Sequence, residues 1–548
     1  MTGRVLKDNF SRRYYDNGIW KGPTINPPLG HYKYGEVLLK SMKKNTELIG
    51  QTQASTGKED SFGEILDRTI RCALWLKKQN IKPGDVIGIC TQHHLNHITP
   101  IVASLFIGSI INPWWDDMEE EQIKYFIELT DPKVVFISEK NVSFIQNTIK
   151  KTGINIKIIV FGSVDGLESF DDILKAQSAE EVKKFQCTTV ESANKPAIII
   201  YTSGTTGKSK GVLHSYHSIA NNCEFIPIDL MKGSRGMCNS QIAWISGIVN
   251  PLRAIEYGAN IIITSDMSEA DSFRLIEKYK ASCIDWVIMG TGTADRMSKT
   301  CFINSLDYST VKFVCVGGAV VKKNVTEFIE NIFPNGKIQQ SYGATELCGI
   351  VTQTEVNQHI NSCGRVLANA EIKIMSAGDG KKILGPNEEG ELYVKSSCVM
   401  LCYYKNPNAT MKVLDSENWF HSGDLGYYNE SGEFFIIDRI TELIRSQSDY
   451  IAPGPIEEII HRHPNVVGVA VIAKSNENNI EQPMAFVVKS SGATVTEEEI
   501  INFVKENIQE KFHLKGGVKF IDKLPLTQSG KISKITLREI AKRIAHEF

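Results

Sequence analysis

The chain has 548 residues, too many for one ordinary core, so two or more domains are expected. Hydrophobic residues make up 42% and charged residues 23%, a globular balance that excludes a disordered chain. A formal net charge of −2 supplies no field for nucleic acid or an acidic membrane, so nucleic acid is excluded as a default partner.

The N-terminus, Met1-Thr2-Gly3-Arg4-Val5, lacks a signal-peptide pattern. Ser61-Phe62-Gly63-Glu64 has the form of a capping box, and Ile65, Leu66, Thr69, Ile70, Ala73 and Leu74 follow at helical spacing. Lys82-Pro83-Gly84-Asp85 breaks that helix ahead of a buried strand, Val86–Cys90. The most apolar segment, Ile98–Ile111, includes Thr99, Pro100 and Ser104 and is shorter than the roughly 20 residues of a membrane span. A helix through Leu105, a strand near Ile110, a helix over Glu119–Leu129 and a strand over Val134–Ile137 continue the cycle, which implies a parallel sheet under helices.

Pro196–Tyr201 reads as an apolar strand that enters Thr202-Ser203-Gly204-Thr205-Thr206-Gly207-Lys208-Ser209-Lys210-Gly211. Glycines admit backbone amides close to an anion, hydroxyls donate further bonds and lysines neutralise charge, so this segment suits phosphate. A Walker loop is excluded because only two residues separate Gly204 from Gly207, where that motif needs four. From about Ile372 to Ile437, short alternating strands separated by Gly378-Asp379-Gly380, Asn387–Gly390 and Asn429–Gly432 predict a small antiparallel β subdomain. Beyond Asp438 helices and strands alternate again: Glu457–His461 helical, Val466–Ile472 and Met484–Val488 extended, and a helix over Thr496–Lys511.

Among the other candidates, His93, His94 and His97 lack a carboxylate or cysteine to complete a metal set. His461 and His463 read as surface positions. The twelve cysteines form no CxxC pair and read as small buried apolar groups of a reducing compartment.

Tyr201-Thr202-Ser203-Gly204-Thr205-Thr206-Gly207-Lys208-Ser209-Lys210-Gly211 resembles the signature of the adenylate-forming, or AMP-binding, superfamily, in its acyl-CoA synthetase, coumarate–CoA ligase and beetle-luciferase branch. Further segments resemble the family's motifs in the family's order: Gly317-Gly318-Ala319, Gln340-Ser341-Tyr342-Gly343-Ala344-Thr345-Glu346, Trp419–Asp424, Asp438-Arg439 and Ser529-Gly530-Lys531-Ile532.

The resemblance implies an α/β chain. Residues 1–437 would form a large domain of two helix-flanked sheets, with the β subdomain at about 355–437, and residues 438–548 a small mobile α+β lid. It implies ATP, Mg²⁺ and coenzyme A as cofactors and a small hydrophobic carboxylic acid as substrate, in a cytoplasmic monomer or homodimer.

By the same resemblance, Thr202, Thr205, Thr206 and Lys210 hold the β- and γ-phosphates, Gly318 and Ala319 lie along the adenine, and Ser203, Gly204, Gly207, Ser341, Tyr342 and Gly343 belong to the nucleotide site. Asp424 and Arg439 take the ribose, Glu346 ligates Mg²⁺, and Thr345 donates to the α-phosphate. Lys531 bridges the α-phosphate and the acid carboxylate. Trp244, Gly318, Cys348 and Ile350 outline an apolar acid pocket, and Arg445 and Ser448 belong to the loop past the hinge where the thiol passes.

Three positions depart from the pattern: Thr441 stands at the hinge where aspartate or lysine is usual, Ser448 replaces a glycine, and Ser209 replaces a proline. Serine reaches the positive φ of such a glycine less readily, so adenylation is more firmly implied than thioester formation. Trp244-Ile245-Ser246-Gly247 stands where luciferases carry His-His-Gly-Phe. A luciferase-like oxygenation, or an adenylate-forming protein that has lost thioester formation, are the alternatives.

Overall fold

The computed structural model describes residues 13–25, 33–202, 209–223, 233–238, 240–264, 268–279, 284–321, 323–355, 361–377, 380–446, 449–475, 480–527 and 531–546. The architecture is α/β: two large mixed sheets and a six-stranded antiparallel sheet, followed by a small three-stranded sheet with its own helices.

The eight-stranded sheet has at its centre Pro196–Thr202, Ile110–Trp114, Val86–Cys90, Val134–Ser138 and Lys157–Phe161, in that order and all parallel. These strands are continuous apolar runs because both faces are covered. Ile87, Ile89, Phe136 and Ile159 pack on the helices Phe62–Lys78, Ile98–Ile107 and Phe170–Lys175. Val86, Val135, Ile137 and Val160 pack on Glu120–Thr130 and Val142–Thr152. The capping box forms: Ser61 Oγ accepts from the Glu64 amide at 3.2 Å, and Glu64 Oε2 accepts from the Ser61 amide at 2.7 Å.

In the nine-stranded sheet the parallel strands Asn260–Ile263, Arg235–Cys238, Trp286–Gly290, Phe313–Gly317 and Lys337–Ala344 lie side by side. Their C-terminal ends form one edge, the place where open α/β sheets bind ligands. The six-stranded sheet orders Tyr14–Asp16, Ile19–Lys21, Ala370–Met375, Gly390–Ser396, Phe420–Tyr428 and Phe434–Arg439. Its first two strands come from the N-terminus, joined by Asn17 (φ 48°) and Gly18 (φ 84°).

The C-terminal sheet pairs Val466–Ser475, Glu481–Lys489 and Gly517–Phe520. One face is covered by Pro453–His461 and Glu497–Asn507, the other by Lys534–His546. Two expectations need correction here. The helix predicted over Thr496–Lys511 stops at Asn507, because Ile508 turns extended, and a short 3₁₀ turn, Glu510–Phe512, follows. His461 is not a surface group: its side chain is 7% exposed, and Nε2 lies 3.7 Å from Asp295 Oδ1 on the large-sheet side.

After the strand Val86–Cys90, His97 is buried and His93 and His94 are half-buried around it. His93 Nδ1 lies 2.8 Å from His97 Nε2, and His93 Nε2 is 2.6 Å from Ser240 O. Among the described residues no cluster of His, Cys, Asp or Glu is arranged to hold a metal, and no helix is long and apolar enough to cross a membrane.

Candidate active site

Thr202 ends one parallel strand, and the antiparallel return strand Lys210–Ser215 pairs Lys210 directly with it. Ser203, Gly204, Thr205, Thr206 and Gly207 lie outside the described residues. Lys210 Nζ sits 4.9 Å from the centre of the Tyr403 ring, an attraction between ammonium and aromatic face. The Tyr403 hydroxyl donates to Glu346 Oε1 at 2.7 Å. Burial and the Glu346 charge both push the phenol up, so it stays a donor at neutral pH.

Thr345 and Glu346 occupy a 3₁₀ turn that follows Lys337–Ala344, and that turn is fastened from several sides. His214 Nε2 donates to Thr345 O at 2.7 Å, the Met400 amide donates to Glu346 O at 2.8 Å, and the Asn222 amide donates to Cys348 O at 2.8 Å. Burial holds His214 down at about 4, so it serves as a neutral donor. Cys348 itself is fully buried with φ 59°, a left-handed conformation that the bond from Asn222 helps secure. Just before the turn, a Cβ at Gly343 would come 1.9 Å from Gly349 O, so only glycine fits.

Gly318 (φ 95°) and Ala319 form the turn after Phe313–Gly317, and Thr291 Oγ1 bonds Gly317 O and Ala319 O at 3.2 and 3.0 Å. Gly317 stands in register with Ser341, which places this turn beside Ser341–Gly343. A flat ligand at the strand ends would lie between the two segments.

Asp424 is 6% exposed on the strand Phe420–Tyr428. Arg439 Nε reaches its Oδ1 at 2.8 Å, and the Tyr342 hydroxyl donates to Oδ2 at 2.6 Å. Each carboxylate oxygen keeps a lone pair, which suits a vicinal diol. Burial pushes the Asp424 carboxyl up from the usual carboxylate range, while Arg439, Tyr342 and Lys531 pull it back.

Lys531 arrives from the C-terminal region on a turn closed by Thr527 N to Lys531 O at 2.7 Å and Lys531 N to Thr527 Oγ1 at 3.2 Å. Ser529 and Gly530 of its motif lie outside the described residues. The residue keeps an exposed flank, but its ammonium is crowded. Loss of solvation lowers its pKa from the ordinary lysine value and Arg439 adds repulsion, while Asp424 and Glu346 hold it up. Lys531, Arg439, Asp424 and Glu346 therefore share one electrostatic neighbourhood.

Trp244 caps the helix Ile245–Tyr257, and Ile350 packs in the same apolar cluster as Ile245, Ile248 and Cys348. Arg445 is exposed on a two-stranded ribbon, Ile444–Ser446 with Asp449–Ile451, and its amide donates to Glu481 at 2.7 Å. Ser448 lies outside the described residues. Sequence reasoning missed Tyr403, His214 and Thr291. Nothing local marks them, because each reaches the site through sheet pairing.

The AMP-binding enzyme pattern matches residues 41–404, and the AMP-binding enzyme C-terminal domain matches 455–531. A luciferin 4-monooxygenase of Photuris pensylvanica is 27% identical, covering 96% of this chain and 99% of its own length. A probable 4-coumarate–CoA ligase of Dictyostelium discoideum is 27% identical over 92% of this chain and 94% of its own. In fold, the chain is similar to an anthranilate CoA ligase in complex with anthranoyl-AMP, with TM-score 0.84, 17% identity and coverage of 94% and 98%. With two domain patterns matched in order along most of its length, the chain belongs to the AMP-binding enzyme family.

Proposed function

We propose that the protein joins a carboxylic acid to the α-phosphate of ATP, releasing pyrophosphate, and then passes the acyl group to the thiol of coenzyme A. The observation that carries the reading is the convergence of Lys531 from the C-terminal region, Glu346 from the turn after Lys337–Ala344, and the paired Asp424 and Arg439 of the six-stranded sheet.

Two anions must meet in the first step, so positive charge is needed where they react. Lys531 supplies a compact ammonium able to touch both the carboxylate and an α-phosphate oxygen. Thr202 and Lys210 stand at the mouth of the phosphate loop, and Thr345 offers a hydroxyl beside the carboxylate of Glu346. Asp424, held by Tyr342 and Arg439, orients the ribose, while the turns at Gly318–Ala319 and Ser341–Gly343 enclose the adenine.

Glu346 fits a magnesium ligand: its carboxylate is partly exposed, with one oxygen bonded to Tyr403 and the other available to a hard cation. Bound there, the ion would neutralise phosphate charge. Thioester formation rests on the family alternation between two lid orientations, with the ribbon bearing Arg445 presented in the second. The full-length relatives named luciferin 4-monooxygenases support a second reading, oxidation of a luciferin adenylate. Trp244-Ile245-Ser246-Gly247 in place of His-His-Gly-Phe counts against it.

The test is pyrophosphate release over a panel of carboxylic acids, with and without coenzyme A. Acid-dependent release is expected, with an acyl-CoA product when coenzyme A is added. Retention of the enzyme-bound adenylate in the presence of coenzyme A would remove the thioester step. Light emission with luciferin, ATP and oxygen would favour the second reading.

A further inference from the structure

Arg253 is 4% exposed, on the helix Ile245–Tyr257 one turn beyond Asn250, which is also 4% exposed. Its Nε donates to Asn222 O at 3.2 Å, its Nη1 to Asn250 Oδ1 at 3.2 Å, and its Nη2 to Asn222. Every one of these acceptors is a neutral amide oxygen, and among the described residues no carboxylate forms an ion pair with the guanidinium. Glu256, on the same helix, accepts from the Tyr34 hydroxyl at 3.2 Å; burial pushes it up to about 7, with the Tyr34 bond and the Arg253 charge pulling the other way. A buried cation without an anion is costly, since amide dipoles replace only part of its lost hydration. Of the five N–H groups of a guanidinium, one at Nη1 has no acceptor among the described residues.

The sheet facing this group is incompletely packed. Cys238, Ile288 and Cys315 form one row, in register across three neighbouring parallel strands. Each keeps partial solvent contact, whereas Met237, Val287, Met289, Val314 and Val316 beside them are buried. On its own face the row is the partly accessible stretch beyond the buried Trp286 and Phe313. Asn250 Nδ2 lies 3.3 Å from Cys238 Sγ. Burial pushes the Cys238 and Cys315 thiols up, and the nearby Arg253 charge partly offsets it. At its other end the row reaches the nucleotide turns: Cys315 is two residues before Gly317, and its Sγ is 3.4 Å from Ser341 Oγ.

We propose that Arg253, with Asn250, closes the far end of the acid-binding cleft and selects acids that carry a second, anionic oxygen group at the end remote from the reacting carboxylate. The assignment rests on the adenylation reading and revises its substrate class. The cleft is apolar along Ile288 and cationic at its floor, so a purely apolar acid leaves Arg253 without an anion in contact.

The test compares ATP–pyrophosphate exchange by the full chain on pairs of acids of equal length, one ending in a methyl group and one in a second carboxylate. The dicarboxylic partner is expected to have the lower KM, by about 10- to 100-fold, as for a hydrogen bond to a charged group. Arg253→Met should collapse that ratio towards one, and Arg253→Lys should restore part of it. Melting curves show whether the methionine variant folds; if it does not, the wild-type and Arg253→Lys ratios decide.

Preference of the wild-type enzyme for methyl-ended acids, or an unchanged ratio in folded Arg253→Met, overturns the assignment while leaving adenylation standing. No exchange with any acid overturns both.

Discussion

Asp424 and Lys531 meet at one site but are held in opposite ways. Asp424 lies within a nine-residue strand, is bonded by Arg439 and Tyr342, and is nearly closed to solvent. Lys531 stands on a tight turn, anchored through Thr527 and a bridge between Leu526 and Ile532, on a region with its own sheet and core. In the proposed reaction the nucleotide cradle would thus be built into the sheets, whereas the catalytic cation would come from the C-terminal region. Lys299 Nζ to Val467 O at 3.0 Å and His461 with Asp295 are contacts between the C-terminal region and the rest of the chain.

Removing the delivered charge should have the largest effect. Lys531→Ala is expected to lower the adenylation rate by about 10² to 10³, as for loss of a preorganised electrostatic group, with ATP affinity little changed. Pre-steady-state pyrophosphate release would measure it. On the built-in side, Tyr342→Phe removes a donor to a buried carboxylate, and a cost of about 1.5–3 kcal/mol should appear as a higher KM for ATP with little change in acid KM. Gly343→Ala forces a Cβ against Gly349 O and should cost about 1–3 kcal/mol of stability, read as a lower urea midpoint at unchanged slope.

The two regions also differ in pH response. Lys531 must be charged to act and its pKa is lowered, so the adenylation rate should fall on an alkaline limb below the ordinary lysine value; Lys531→Arg should push that limb upward. His93 and His94 are held down at about 4 by burial, against an unfolded histidine near 6.5. Between these values the unfolded chain binds more protons. The stability they confer is therefore complete above about pH 6.5 and is lost as pH falls towards 4, which acid-induced unfolding would show as a shallow loss ahead of the main transition.

Local signals account for what the sequence discloses. The Ser61–Glu64 capping box, the strand Val86–Cys90 and the apolar run into Thr202 are settled within a few residues, and each forms as expected. Partnerships across the chain were hidden. Tyr14–Asp16 and Ile19–Lys21 form a hairpin whose docking on Ala370–Met375 depends on a surface more than three hundred residues away. Tyr403 reaches Glu346 because Cys402–Tyr403 pairs with Val212–Leu213, and Arg253 is one arginine in an apolar helix until Asn222 and Asn250 close around it. His461 looked exposed because its cover comes from another sheet.

The most direct measurement uses ATP labelled at the α-phosphate, mixed in a single turnover with the enzyme and an accepted acid and then quenched. The label should appear in an acyl-adenylate, in an amount matching the pyrophosphate formed, and should be nearly absent with Lys531→Ala. Label recovered as ADP, or as AMP formed at the same rate without any acid, would contradict the account.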